Sequence, residues 1–243
     1  MKKNDLKKIS SQFWRTSGLK LVCPRPIEDA VIRNFPISIV KLKSITYESL
    51  NGWLANRNLA GVLPHFNGSL LGGIFAFKGD ALLFVDASLP SYEMRYTIAH
   101  EVGHFMFDYY YKRQKAKSTV GEKAEEILDG TRRATLGERV DALFLGVDLR
   151  PYYHLLAEEN CISITRGQIE TAEDNADYLA DELIAPEDVV NEMFNEREFA
   201  NVSEGAKEIA DILDVPEYVV ARQIRTKPVD VDFLTDLRKT LKG

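Results

Sequence analysis

The chain has 243 residues, 45% of them hydrophobic, which suits one large domain or two small ones with a packed core. Its formal net charge of −6 at pH 7 argues against a protein that coats nucleic acid. No apolar run approaches the ~18 residues of a membrane span, and Cys23 and Cys161 are too far apart to form a Cys-x-x-Cys motif. We therefore expect a globular protein of the reducing cytoplasm, with no membrane partner.

The first 90 residues predict a basic end, one helix and a small sheet. Residues 1–8 carry four lysines, which we interpret as a frayed, solvated end rather than a contact for nucleic acid or lipid. Residues 26–34 predict a helix that begins at a proline. Three strands are predicted at residues 37–43, 70–77 and 81–86, the last two joined by a turn at residues 78–80. An edge strand of such a sheet can align an extended peptide by backbone pairing.

Two histidines one helical turn apart dominate the next stretch. His100 and His104 lie on one face of a helix in the pattern His-Glu-x-x-His, so both imidazoles can reach one metal ion. Zinc suits this spacing best because it leaves a coordination position open when three protein ligands bind it; manganese or another divalent ion is the alternative. Glu101 can then take a proton from metal-bound water and return it to a leaving group. The competing interpretation is a core helix with two incidental histidines.

The region between residues 108 and 167 is less informative. We interpret residues 108–121 as a solvated helix end and loop, although the mixture of tyrosines and basic residues could bind nucleic acid. Helices are predicted at about residues 122–128, 136–145 and 151–158. His154 and Tyr178 are candidates for stabilising the oxyanion of a tetrahedral intermediate, but no spacing supports either, and a structural role is the alternative.

A third metal ligand is predicted on a helix that covers residues 168–185. Glu173 falls on the apolar stripe of this helix, where a carboxylate is costly unless it is paired or binds a metal. Glu170 is the alternative ligand, and a solvated surface acid is the alternative role for Glu173. Asp177 follows by one turn and could accept a hydrogen bond from a ligand histidine, which would fix its tautomer.

The combination of His-Glu-x-x-His with Glu173-x-x-x-Asp177 resembles the ImmA/IrrE family of metallo-endopeptidases. The resemblance extends over residues 86–107, residues 173–186 and a small helical C-terminal segment. It implies zinc held by His100, His104 and Glu173, with Glu101 as general base. It also implies a substrate class, namely helix-turn-helix repressors of mobile elements or stress regulons. The chain departs from the family pattern by the aspartate at position 177, by residues 184–185, and by the long segment before Glu173.

Residues 203–224 predict two short helices with a tight turn, similar to a helix-turn-helix, with Ser203 as the first cap. The second helix lacks basic or amide side chains at its start, which favours protein packing or substrate docking over DNA reading. We expect an α+β fold with a minimal zincin-like core, in which a small antiparallel or mixed sheet accompanies the metal-binding helix. The predicted domains are residues 1–195, with a helical insertion at about 112–167, and residues 196–243.

The function that this sequence favours is a zinc-dependent endopeptidase that cleaves a specific repressor or regulatory protein. The alternative is a non-proteolytic, metal-containing regulator that acts by binding a partner protein or DNA. A metal closed off by a fourth protein ligand would favour that alternative, because a catalytic site keeps an open position.

Overall fold

The computed structural model describes residues 3–57, 65–147 and 166–224, with the backbone alone for Leu143 and residues 166–170. The helices are α1 (Lys3–Ser17), α2 (Ile27–Asn34), α3 (Tyr47–Ala55), α4 (Ser91–His104), α5 (Tyr111–Val120), α6 (Ala124–Leu128), α7 (Leu136–Phe144), α8 (Arg166–Ile184), α9 (Glu187–Asn195), α10 (Val202–Leu213) and α11 (Glu217–Gln223). The strands are β1 (Ile37–Leu42), β2 (Ile45–Thr46), β3 (Ser69–Leu70), β4 (Gly72–Phe77) and β5 (Asp80–Asp86). The fold is of the predicted α+β class.

The main sheet has three strands, with β5 at its centre. β5 pairs in parallel with β1 and antiparallel with β4, while β2 and β3 form a separate antiparallel pair. The predicted strand over residues 70–77 is therefore divided, because Leu70 pairs with β2 whereas Gly72–Phe77 pairs with β5. The turn between β4 and β5 has φ values of 52° at Lys78 and 93° at Gly79. Two consecutive positive φ values match the right-handed twist of a hairpin and explain the glycine.

Helix α4, which carries the histidine pair, packs against the sheet and against α8. Ile98 and Val102 on this helix, and Phe105 directly after it, are fully buried. At Gly103, an added Cβ would lie 2.9 Å from the Cα of Ala176 on α8, closer than packed atoms tolerate. The absence of a side chain at Gly103 therefore permits close approach of the α8 backbone, and this approach brings the histidines to the third predicted ligand.

From Lys3 onwards, the stretch that was predicted to be frayed is helical and packed. Leu6 and Trp14 of α1 are buried, and the Trp14 indole N–H donates to the carbonyl oxygen of Leu183 at 3.1 Å. Lys7 pairs with Glu187 at 2.9 Å. The apolar side chains of α1 recur at helical spacing, which predicts a helix with one buried face. The prediction of a solvated end gave more weight to the lysines than to this spacing.

The chain beyond the histidine pair is also helical where a loop was predicted. A π-helical segment (Phe105–Tyr110) joins α4 directly to α5. Its Tyr109 is buried, and its hydroxyl accepts a 2.7 Å hydrogen bond from the backbone N–H of Gly79 in the β4–β5 turn. This contact ties the metal helix to the sheet. The helices α6 and α7 agree with the predictions for residues 122–128 and 136–145, and the helix predicted at 151–158 lies outside the described residues.

The two C-terminal helices, α10 and α11, pack on the rest of the chain. Leu213, Val219 and Val220 belong to the same buried cluster as Ile98 and Val102 of α4. The predicted domain boundary falls at the end of α9, yet packing is continuous across it. The cap of α10 is Asn201 rather than Ser203, because the Asn201 side chain accepts from the backbone N–H of Glu204. Within the described residues, no helix combines the length and the apolar character needed to cross a membrane.

Candidate metal centre

Three predicted ligands converge where α4 meets α8. The Nε2 atoms of His100 and His104 are 3.1 Å apart. The Glu173 carboxylate faces both rings, with Oε2 at 3.4 Å from His100 Nε2 and Oε1 at 3.3 Å from His104 Nε2. Glu173 reaches this position because α8 approaches α4 closely at Gly103. The three residues form a group that could hold a metal ion.

The spacing of these donor atoms agrees with metal coordination. In a tetrahedral site with ligand bonds of about 2.0–2.1 Å, neighbouring donor atoms lie about 3.3 Å apart, close to the separations of the two Nε2 atoms and the Glu173 oxygens. The outer nitrogen of each ring faces a carboxylate, which favours the tautomer with hydrogen on Nδ1. Both Nε2 lone pairs then point towards the same region as a Glu173 oxygen, an arrangement that a shared cation would stabilise.

A carboxylate contacts the Nδ1 atom of each histidine, on the side of the ring that points away from the centre. His100 Nδ1 is 2.9 Å from Asp177 Oδ1, as predicted for a residue that fixes the tautomer. His104 Nδ1 is 3.1 Å from Asp108 Oδ2. Such outer carboxylates orient a metal-binding imidazole and raise its basicity. The sequence reasoning overlooked Asp108, although it follows His104 by one turn and so lies on the same helical face.

Electrostatics at the two histidines favour positive charge at the centre. Burial lowers the pKa of His100, but hydrogen bonds with Asp177 and Glu173 outweigh it and raise the pKa to about 9. For His104, burial again lowers the pKa, while hydrogen bonds with Asp108 and Glu173 raise it to about 10. A metal ion and a proton compete for the same imidazole nitrogen, so binding of a metal would release protons.

The Glu101 side chain lies buried beside this group. The residue is only 5% exposed, and its Oε2 has no hydrogen-bond partner among the described residues. Burial raises the pKa of its carboxyl, while the charges of His104 and His100 act to lower it. A Cβ at Gly72, the first residue of β4, would lie 3.5 Å from Glu101 Cγ. A buried carboxylate oxygen without a partner is costly unless a ligand or proton completes its interactions.

Asp177 also contacts two side chains to which the sequence analysis gave no role in the centre. The Tyr96 hydroxyl donates to Asp177 Oδ1 at 2.6 Å, and Arg222 Nη1 of α11 donates to Asp177 Oδ2 at 3.3 Å. Arg222 also pairs with Asp181 at 2.8 Å. These contacts join segments far apart in the sequence, and no local spacing pattern could have indicated them.

The remaining candidates do not join the centre in the described part of the chain. The Tyr178 ring is 5.7 Å from Lys3 Nζ, and the side chain is largely exposed. It projects from α8 on a different face from Asp177, so the structure does not bring it to the metal ligands. His154 lies outside the described residues, as does the side chain of Glu170. The observed position of Glu173 makes it the third member of the group.

The fold and the donor set define an α+β protein with a His-His-Glu group suited to a metal ion. Three donors from the described residues surround the centre, and the Glu173 side chain is 39% exposed, so solvent reaches this side of it. Comparisons of the chain with protein-family models and with curated proteins gave no match.

Proposed function

We propose that this protein is a cytoplasmic zinc-dependent endopeptidase of the ImmA/IrrE type. The observation that carries the proposal is the pairing of two features. One is a three-donor group with tetrahedral spacing, and the other is the buried Glu101 carboxylate, one oxygen of which has no hydrogen-bond partner among the residues that the structure describes. A structural metal site needs the first feature alone. The second supports a catalytic role, because a general base must face the reacting water rather than be consumed by protein contacts.

In this proposal His100, His104 and Glu173 hold the metal. A divalent zinc ion would supply Lewis-acid chemistry, since it polarises a peptide carbonyl and makes water acidic enough to react near neutral pH. Asp177 and Asp108 keep the two rings in the tautomer that presents Nε2 to the centre. Glu101 accepts the proton of the attacking water and then delivers it to the departing amine.

We further propose that the substrate is a specific regulatory protein, such as a helix-turn-helix repressor of a mobile element or stress regulon. This part rests on the sequence resemblance of residues 86–107 and 173–186. The exposure of Glu173 supports access for a protein chain.

The test compares new protein N-termini in cells of the source organism that express the wild type, Glu101→Gln or Glu192→Gln. The Glu101→Gln change keeps the shape of the side chain and removes the base, so we expect full metal binding and a loss of cleavage by at least roughly a hundredfold. Glu192 is exposed on α9, which makes Glu192→Gln a matched control that retains cleavage.

A cut in one regulatory protein, present with the wild type and Glu192→Gln but absent with Glu101→Gln, would support the proposal. Equal cleavage by Glu101→Gln would contradict the role of Glu101. A wild type that binds zinc but cuts no peptide bond, with its partner protein present and intact, would instead favour the non-proteolytic regulator.

A further inference from the structure

The ion pairs around Asp177 connect the C-terminal helices to the metal centre. Asp177 is partly exposed, with 36% of its side chain accessible, so packing alone does not fix its orientation. Three donors hold it instead: His100 Nδ1, the Tyr96 hydroxyl and Arg222 Nη1. The first two belong to α4, whereas Arg222 comes from α11, 45 positions after Asp177.

Arg222 is itself held firmly. Its Nη2 lies 2.8 Å from Oδ1 of Asp181, whose side chain is only 2% exposed, and 3.2 Å from the Tyr96 hydroxyl. The guanidinium also lies 5.3 Å from the ring of Tyr218, which packs edge-on against Tyr96 at 5.4 Å. A guanidinium can satisfy several acceptors at once in a fixed plane, which a lysine cannot do. The position of Arg222 therefore depends on α11 being docked against α4 and α8.

The contacts at the other end of α11 fix this docking. The Ser91 hydroxyl donates to Asp214 Oδ1 at 2.8 Å, and Arg95 Nε donates to the backbone oxygen of Asp214 at 3.0 Å. Asp214 occupies the turn between α10 and α11 with a φ of 51°. The turn and the helix after it thus both rest on α4, the helix that carries the histidine pair.

We propose that Arg222 is a positioning residue of the metal centre, which holds Asp177 and through it the ring of His100. The C-terminal helix pair is then a structural part of the centre. This inference rests on the metal site of the proposed function, and it deepens that proposal by assigning α11 a role in metal binding. Outer groups that orient a ligand histidine typically change metal affinity by about 10–100-fold when removed.

The test measures zinc affinity by competition with a chromophoric chelator, on full-length protein confirmed as folded by circular dichroism. We expect Arg222→Ala to weaken zinc binding by about 10-fold or more. Arg197 is the matched control. Its guanidinium pairs with Glu208 of α10, and among the described contacts none joins it to Asp177. Arg197→Ala should therefore keep wild-type zinc affinity.

Two further variants separate positioning from a general loss of stability. Arg222→Ala leaves the buried Asp181 carboxylate without its cation, so the double variant Asp181→Asn with Arg222→Ala is measured as well and should show the same loss of affinity. Asp181→Asn alone removes one of the contacts that hold Arg222 and leaves Arg222 itself in place, so its loss of zinc affinity should be no larger than that of Arg222→Ala. In an Asp177→Asn background, Arg222→Ala should cause little additional loss if it acts through Asp177.

Unchanged zinc affinity in the folded Arg222→Ala protein would overturn this inference and leave the proposed function intact. An equal loss with Arg197→Ala would overturn it as well, since the effect would then be unspecific. A wild-type protein that binds no zinc would overturn the proposed function and this inference together.

Discussion

At the scale of single residues, the centre is a set of carboxylates that surround two imidazoles. Spacing along α4 was sufficient to predict His100 and His104, because ligands one turn apart share a face. Glu173 was predicted from its place on the apolar stripe of α8, which left Glu170 as an alternative. The same rule would have indicated Asp108, had it been applied to His104 as it was to Glu173. Arg222 could not be predicted, since its contact with Asp177 depends on how distant helices pack.

We predict that Asp108→Ala weakens zinc binding by about 10–100-fold, because His104 loses the group that orients its ring. Lys112→Ala is the matched control, since Lys112 is exposed and contacts the other oxygen of Asp108 at 3.4 Å. The control should bind zinc with wild-type affinity in the chelator assay. An unchanged zinc affinity in the folded Asp108→Ala protein would contradict this role of Asp108.

At the scale of helices and strands, periodicity predicted elements whose pattern is local. β1, β5, α2, α6 and α7 appear within a few residues of their expected positions. The predictions failed where packing or pairing with distant segments determined the local structure. Packing against α8 orders the lysine-rich α1. The contact of Tyr109 with the β4–β5 turn accompanies a helix that continues to Val120, where a helix end and loop were expected. The division of the 70–77 strand depends on two separate pairing partners.

The close contact of α4 with α8 predicts a cost for any side chain at Gly103. Gly103→Ala should lower the free energy of unfolding by about 1–3 kcal/mol, because the added methyl overpacks against Ala176. The comparison is Gly52→Ala in the exposed part of α3, where a Cβ would meet no atom of the described residues within 4 Å. That change should raise stability by about 0.5–1 kcal/mol through helix propensity. Urea unfolding measures both, and a stabilised Gly103→Ala protein would refute the close approach.

At the scale of the whole molecule, one buried cluster extends from α1 to α11, while α5, α6 and α7 share a small cluster of their own. The large cluster contains side chains from both predicted domains, so the C-terminal helices do not stand apart. α7 is different, because it leaves Leu136 and Phe144 about 80% exposed. Segments with few buried apolar contacts open more readily than the core to which they are attached.

Native-state hydrogen exchange tests this arrangement. We expect amides in the middle of α10 and α11 to open with about the same free energy as those of α4, because they share a core. Amides of α7 should exchange through a smaller opening, which provides the internal comparison. Much weaker protection in α10 and α11 than in α4 would show that the C-terminal helices detach on their own.

The docking of α11 has a thermodynamic consequence for any partner of the C-terminal helices. Tyr218 lies at the start of α11, where a DNA-binding helix-turn-helix would contact bases. Its side chain packs on Tyr96. A partner that draws Tyr218 and Arg222 away must weaken the hold on Asp177. Because coupling between two binding events is reciprocal, the factor by which that partner reduces metal affinity equals the factor by which the metal reduces affinity for the partner. Metal occupancy and capture of this helix would therefore be antagonistic.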